Sequence, residues 1–312
     1  MTKKEPEIFY DILNNLEKVI QGKHEILKQF LICYFAGGHI LLEDIPGVGK
    51  TTLAKALAIS IKSSFHRVQF TPDLLPADIT GNMIYNPKTG EFTFRAGPIF
   101  TDIFLADEIN RASPRTQSAL LEAMNEWQIS VEGESKTLGN MFTVIATQNP
   151  IAFHGTYPLP EAQLDRFFMR LALGYPERYE ELKMLDYQQY SHPLTRLADV
   201  TDEETVLKAR EEVKKVKMGQ PVCNYLLDII ESSRQDQRLK LGISPRGSLA
   251  FYRLAQAKAW SENRHYVIPD DLKVVAIPAL AHRLLLETKI YHSGLTNQEI
   301  IKDILSQVKV PV

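Results

Sequence analysis

The spacing of apolar residues changes along this chain and divides it into two halves of different texture. Between residues 8 and 35 apolar positions recur at helical intervals, with a break at Val19-Ile20-Gln21-Gly22, which predicts two helices joined by a turn. Residues 39–43 form a short apolar run of strand length that stops at Pro46 and Gly47. After that turn Leu53, Ala54, Ala56, Leu57, Ala58 and Ile61 resume a helical period. Residues 65–70 alternate like a strand, and residues 81–94 read as a hairpin turned at Asn-Pro-Lys-Thr-Gly. Residues 99–107 predict a buried strand. Ser113-Pro114 is a helix start, with Ser as cap and Pro in the first turn, and Ala119, Leu120, Ala123, Met124 and Trp127 give that helix one apolar face. A second hairpin is expected over 128–131 and 137–138, and residues 142–146 and 167–173 complete the set of core strands.

Up to about Leu173, strands alternate with helices, the pattern of a parallel sheet covered on both faces. Beyond Tyr175-Pro176 only helical periods remain, over 177–189, 202–217, 222–234, 245–260, 269–286 and 297–308, with Pro278 expected to break or kink the fifth. The fold class is therefore α/β, with an αβα domain at 1–174 built on a parallel five-stranded sheet and an α-helical domain at 175–312.

Composition narrows this picture only by exclusion. A net charge of −2 over 312 residues gives no support for a protein devoted to nucleic acid or an anionic membrane surface. No apolar run approaches the length of a membrane span, and the opening residues lack the apolar core of a secretion signal. Cys33 and Cys223 are isolated and make neither a disulfide framework nor a metal cluster. The expected location is cytoplasmic.

The chemistry gathers around the first turn. Asp44-Ile45-Pro46-Gly47-Val48-Gly49-Lys50-Thr51-Thr52 lies between a strand and a helix, which is where a phosphate-binding loop belongs: backbone N–H groups and the helix N-terminus attract the phosphates. Lys50 would reach the β- and γ-phosphates of a nucleotide and the Thr51 hydroxyl would ligate Mg²⁺. Asp44 departs from the general pattern, which has Gly seven residues before the Thr. Asp107-Glu108 ends the next buried strand, so Asp107 is the candidate to hold Mg²⁺ and Glu108 the candidate to polarise the attacking water. Asn149 ends a further strand where a γ-phosphate or the lytic water would lie. Arg166, in Leu164-Asp-Arg-Phe-Phe168, could make a bidentate phosphate contact or a surface ion pair. Arg246 sits in the first turn of a helix, where a cation needs an anionic partner, carboxylate or phosphate. The Val19-Ile20-Gly22 segment reads equally as a simple turn or as a seat for the adenine base. No Asn-Lys-x-Asp guanine motif, transporter signature, His-Glu-x-x-His zinc site or nucleophile elbow accompanies these features.

Taken together, these motifs resemble the AAA+ ATPases, and more closely the MoxR group among those with a helix-2 insert. The resemblance rests on Gly37 to Thr51, Gln69-Phe-Thr-Pro-Asp-Leu-Leu-Pro-Ala-Asp-Ile-Thr-Gly81 and Gly97-Pro-Ile-Phe100. It extends through Leu105-Ala-Asp-Glu-Ile-Asn-Arg-Ala112, Leu121-Glu-Ala-Met-Asn-Glu126, Thr147-Gln-Asn-Pro150 and Gly155-Thr-Tyr-Pro-Leu-Pro-Glu-Ala-Gln-Leu-Asp-Arg-Phe167. It is near-continuous over the first domain and looser beyond it, and His154 stands where a polar or acidic residue is expected. It implies an AAA+ P-loop αβα core with a C-terminal lid, a helix-2 insert hairpin at about 81–98 and a pre-sensor hairpin at about 128–139. It further implies that ATP and Mg²⁺ are the cofactors and that subunits form rings, usually hexamers. Arg166 would reach a neighbour's ATP, Asn149 would be sensor 1 and Arg246 sensor 2. Such proteins often act as chaperone-like factors on protein partners, commonly alongside a von Willebrand factor A domain protein. A nucleic-acid motor is the competing expectation, with Lys88, Arg95 and Lys136 of the hairpins as candidate contacts among Glu91, Glu132 and Glu134. A nucleotide-gated binder with slow turnover is the third.

Overall fold

The structure is a computed structural model that describes residues 6–88, 90–150, 156–188, 193–291 and 294–311. Thr89, His154, Gly155 and Gln189, which figure in the sequence expectations, lie outside these residues. The first half runs α1 (Glu7–Glu17), α2 (His24–Phe35), β1 (Ile40–Glu43), α3 (Lys50–Ser60), β2 (Phe65–Gln69) and a short α4 (Pro76–Thr80). It continues through the hairpin β3 (Gly81–Asn86) and β4 (Glu91–Ala96), β5 (Ile103–Asp107), α5 (Pro114–Glu126) and the hairpin β6 (Gln128–Val131) and β7 (Glu134–Thr137). It ends with β8 (Thr143–Gln148), α6 (Glu161–Leu164) and β9 (Met169–Leu171).

Five strands pair in the order β2-β5-β8-β1-β9, all parallel. The middle strands are unbroken apolar runs because helices cover both faces: every residue of β5 is buried, as are Ile40 to Leu42 of β1 and Thr143 to Thr147 of β8. The sheet's carboxyl edge therefore brings the ends of β1, β5 and β8 side by side. β5 starts later than its apolar pattern suggests, because the Ile99 N–H is drawn back to the Ile79 carbonyl at the foot of the β3–β4 hairpin.

The second half contains α7 (Arg178–Gln188), α8 (Glu203–Lys215), α9 (Gln220–Gln235), β10 (Leu239–Leu241), α10 (Pro245–Ser261), α11 (Pro269–Leu280), β11 (Leu285–Leu286), α12 (Thr288–Tyr291) and α13 (Asn297–Gln307). One expected helix is corrected: the run over 269–286 is α-helical only to Leu280, continues as a 3₁₀ turn over Ala281–Arg283 and is not helical beyond it. Pro278 has no N–H for the helix ladder, and the carbonyls that follow are taken by side chains, Ala279 O by Arg283 and Ala281 O and Leu284 O by Asn297. The freed segment makes an antiparallel pair with β10, so this half is not purely helical. Its apolar residues also join the core of the first half. Phe9 of α1, Phe35 of α2 and Trp260 of α10 pack ring to ring, with the Phe35–Trp260 centroids 4.9 Å apart.

Candidate nucleotide site

The turn after β1 is set by two glycines in left-handed conformation, Gly47 (φ 86°) and Gly49 (φ 97°), the second being the residue that opens α3. A side chain at Gly49 would be strained and would also meet Ile20 Cδ1 at 2.9 Å. The loop therefore stays open toward the sheet edge, and the α3 N-terminus points into the opening. A cavity of about 300 Å³ lies there, lined by Pro46, Gly47, Gly49, Lys50, Thr51, Thr52, Arg67, Gln69, Asp107, Glu108, Thr147 and Asn149. A second cavity of about 310 Å³ shares Pro46, Gly47, Gly49 and Thr52 with it. That one is also walled by the largely apolar Val19, Ile20, Val48, Tyr175, Pro176 and Met184, with Gln21, Lys23 and Glu181 as its polar members. A polar cavity adjoining an apolar one across a single loop suits a phosphate chain carrying a flat base.

Within the polar cavity Lys50 Nζ donates to the Asp44 carbonyl and, at 3.0 Å, to the Ile45 carbonyl. Partial burial lowers its ammonium pKa from the usual range, opposed by the carboxylates of Asp44, Asp107 and Glu108. Thr51 Oγ1 lies 3.4 Å from Asp107 Oδ2. A hydroxyl beside a carboxylate at the foot of a phosphate loop is the hard-oxygen donor pair that Mg²⁺ takes, so the residues fit that ion. Asp107 is 7% exposed, and its other oxygen accepts from Thr147 Oγ1 at 2.6 Å. Thr147 Oγ1 in turn accepts from the Glu108 N–H at 2.8 Å. Glu108 has φ 55°, a left-handed conformation that costs a non-glycine residue roughly 1 kcal/mol and marks a constrained position. Its Oε2 accepts from Gln69 Nε2 and from Arg111 Nη1, both at 2.8 Å. Asn149 lines the same cavity, and its carbonyl accepts from Asn110 Nδ2 at 3.4 Å.

Other expected residues stand elsewhere. The Asp44 carboxylate turns away from the phosphate cavity: Oδ1 accepts from the Ile45 N–H at 2.8 Å and Oδ2 from the Gly174 N–H at 2.5 Å. Asp44 thus ties the start of the loop to the end of the first half, and neither it nor Ile45 lines either cavity. Gly22 does not line the base cavity, whereas its neighbours Val19, Ile20, Gln21 and Lys23 do. Gly22 serves the turn, at φ 70°, and a Cβ there would lie 2.7 Å from Glu180 Cγ. Arg166 and Arg246 line neither cavity. Arg166 donates to the Leu121 carbonyl on α5, and its guanidinium pKa is lowered first by partial burial and then by the nearby Arg246. Arg246 is exposed in the first turn of α10. Neither arginine therefore contributes to the lining of its own chain's polar cavity.

Sequence reasoning did not single out Arg67, Gln69 or Thr147 as site residues. Arg67 and Gln69 are two apart on β2, and strand alternation puts them on one face. Which acids they meet depends on β2 pairing with β5, where Gln69 is in register with Asp107. Arg111, which follows the acidic pair, is engaged with Glu108 of its own chain.

Comparison with known proteins agrees with this geometry. Residues 39–169 match the ATPase family associated with various cellular activities (AAA), and residues 231–304 match the AAA lid domain. The chain is 48% identical to YeaC of Bacillus subtilis over 96% of its length and 94% of that protein. It is 34% identical to the chaperone MoxR1 of Mycobacterium tuberculosis over 95% of its length and 80% of that protein. A crystal structure assigned as an ATPase from Cytophaga hutchinsonii superposes with a TM-score of 0.91 at 36% identity, covering 98% of this chain and 96% of the other. No described helix is long and apolar enough to cross a membrane. With its phosphate loop, acidic strand end, lid and extended similarity to MoxR proteins, the chain belongs to the MoxR-type AAA+ ATPases.

Proposed function

We propose that this protein hydrolyses ATP with Mg²⁺ at the interfaces of a ring of identical subunits and uses the cycle to remodel a protein partner. The observation that carries the reading is a division of labour in space. Lys50, Thr51, Asp107, Glu108 and Asn149 line one cavity, whereas Arg166 and Arg246 line neither it nor the adjoining one. A site with its phosphate grip and water-activating carboxylate in one chain, and its arginines displaced, is completed when a second chain brings them in.

The roles follow from the residues. The loop N–H groups and Lys50 grip the phosphates once Lys50 leaves the carbonyls of Asp44 and Ile45. Thr51 and Asp107 would hold Mg²⁺, which when bound neutralises charge developing between the β- and γ-phosphates. Glu108 accepts the proton of the attacking water, and Asn149 orients water or γ-phosphate from the adjoining strand end. Val19 and Ile20 flank the base. Arg166 and Arg246 act in trans, Arg166 as the finger and Arg246 as its companion from the lid. The hexamer count and a von Willebrand factor A domain partner are proposed on family resemblance, and the remodelling role also on the relative named as a chaperone. The nucleic-acid alternative loses ground because Lys136 is held by Glu134 at 2.6 Å and lies over the Phe94 ring.

Specific ATPase activity measured against protein concentration tests the proposal. Activity per subunit should rise and level off as rings form, and Glu108→Gln should keep nucleotide binding while losing roughly 10²–10⁴-fold in turnover. A flat profile from a species that sizes as a monomer would overturn the assembly-completed site, and unchanged turnover in Glu108→Gln would remove the assignment of Glu108.

A further inference from the structure

Arg67 is a cation inside the phosphate cavity that no part of the mechanism above uses. It stands on the edge strand β2, and its guanidinium reaches Asp107 Oδ2 through Nε at 2.9 Å and Nη2 at 2.7 Å. The same oxygen is the one 3.4 Å from Thr51 Oγ1. A positive group therefore sits on the carboxylate oxygen that faces the metal-binding hydroxyl. The Asp107 side chain is 10% exposed and that of Arg67 45% exposed, so the acid is fixed in the sheet while the arginine has an open path to solvent. A fixed acid with a mobile counter-cation is the arrangement of an exchangeable site.

We propose that Arg67 is an internal surrogate for the divalent cation: it neutralises Asp107 when the site holds no metal and must leave Asp107 Oδ2 for a cation to be held there. The inference rests on the nucleotide-site reading above. Electrostatics favours such an occupant: Asp107 is buried beside Glu108, and although Arg111 pairs with Glu108 and Lys50 attracts both acids, Arg67 is the cation in direct contact with Asp107 Oδ2. The Nε–H and Nη2–H groups of Arg67 together take both lone pairs of Asp107 Oδ2, so direct coordination of Mg²⁺ by that oxygen requires Arg67 to move off it.

The exchange also reaches Glu108. Arg67 Nη2 donates to Gln69 Oε1 at 3.0 Å, which fixes the amide so that its Nε2 faces Glu108 Oε2 at 2.8 Å. While Arg67 is on Asp107, the Oε2 of Glu108 is held by both Gln69 and Arg111. When Arg67 leaves, Gln69 loses the contact that orients its amide, and the hold on Glu108 weakens. Arg67 is on this account a positioning residue that links metal occupancy to release of the water-activating carboxylate.

The test is the binding of the non-hydrolysable fluorescent nucleotide mant-AMPPNP, read by fluorescence with Mg²⁺ and again with EDTA, for the parent protein, Arg67→Gln and Arg67→Lys. Competition predicts that Arg67→Gln weakens binding in EDTA, where the bare Asp107 carboxylate repels the phosphates, and makes Mg²⁺ enhance binding about tenfold more than in the parent, a modest figure because Arg67 is half exposed. Arg67→Lys keeps the charge and should stay within about threefold of the parent. An unchanged or smaller Mg²⁺ enhancement in Arg67→Gln would overturn the proposal, as would equal behaviour of the Gln and Lys variants. An equal fall in affinity with Mg²⁺ and with EDTA in Arg67→Gln would also overturn it, by making Arg67 a phosphate ligand. If the parent binds mant-AMPPNP in neither condition, the nucleotide-site reading itself fails.

Discussion

Replacing Asp165 by Asn removes one charge from a junction between the two halves of the chain. Asp165 Oδ1 is paired with Arg283, whose side chain is 1% exposed, and Oδ2 accepts from Ser244 Oγ at 2.9 Å where α10 begins. Arg283 also donates to the carbonyls of Asp165 at 2.7 Å, Phe167 at 2.6 Å and Ala279 at 2.8 Å. Desolvation weighs against its charge, and Asp165 is the main group opposing that. Breaking a buried ion pair from one side costs about 3–5 kcal/mol because the remaining charge is uncompensated. The three carbonyl contacts survive in Asp165→Asn, so the loss should fall somewhat below that range, at about 2–3 kcal/mol. At roughly 2 °C per kcal/mol for a chain of this length, the midpoint in scanning calorimetry should drop by about 5 °C. Arg283→Met in the Asp165→Asn background should then cost less than the sum of the two single changes, with a coupling of about 2 kcal/mol. A midpoint for Asp165→Asn within about 1 °C of the parent would refute the reasoning, because the carbonyls alone would then suffice to hold Arg283.

Further outcomes are expected. Arg166→Ala should lose on the order of 10³-fold in turnover, and mixing it with Glu108→Gln subunits should restore part of the activity, since some interfaces then pair an intact Glu108 with an intact Arg166; no recovery on mixing would place Arg166 in its own chain's site. His39 is buried, with Nδ1 accepting from the Val144 N–H at 3.0 Å and Nε2 donating to the Met124 carbonyl at 3.1 Å, and burial holds its pKa down at about 4. The unfolded chain binds a proton at His39 near pH 6.5 and the folded one does not. The stability this residue supports is therefore full above about pH 6.5 and falls by about 3 kcal/mol as pH drops to about 4. In denaturant titrations His39→Gln should flatten that part of the profile, and an unchanged slope would count against the argument. Gly38→Ala would place a Cβ 2.4 Å from Phe168 Cγ, at the stiff base of the ring, and should cost about 1–3 kcal/mol in thermal unfolding; a neutral result would mean β1 and the strand end after Phe167 can separate freely.

Much of this architecture was legible in the residues because it depends on local periodicity. Unbroken apolar runs marked β1, β5 and β8 as interior strands, and Ser113-Pro114 and Ser244-Pro245 marked helix starts where each Ser hydroxyl accepts an N–H three residues on. Gly47, Gly49, Lys50 and Thr51 are contiguous, so their loop could be read as one piece, and Asp107-Glu108 followed from ending a strand in a parallel sheet. Elements whose partners are distant in sequence were less accessible. The run over 269–286 looked helical throughout because nothing local reveals that Leu285 and Leu286 have β10 to pair with, more than forty residues earlier.

The sequence by itself determined where the glycine loop with Lys50 and Thr51 and the Asp107-Glu108 carboxylates fall, since both are properties of short contiguous segments. The tertiary structure decided which groups face one another. It turned the Asp44 carboxylate toward Gly174 and away from the phosphate cavity, and it set Arg67 and Gln69 on Asp107 and Glu108 through the β2–β5 register. It also left Arg166 and Arg246 out of the lining of their own chain's cavities. Each of these depends on strand order and on how the two halves close against each other. Those are fixed by burying apolar surface across the whole chain, and no local pattern of residues specifies them.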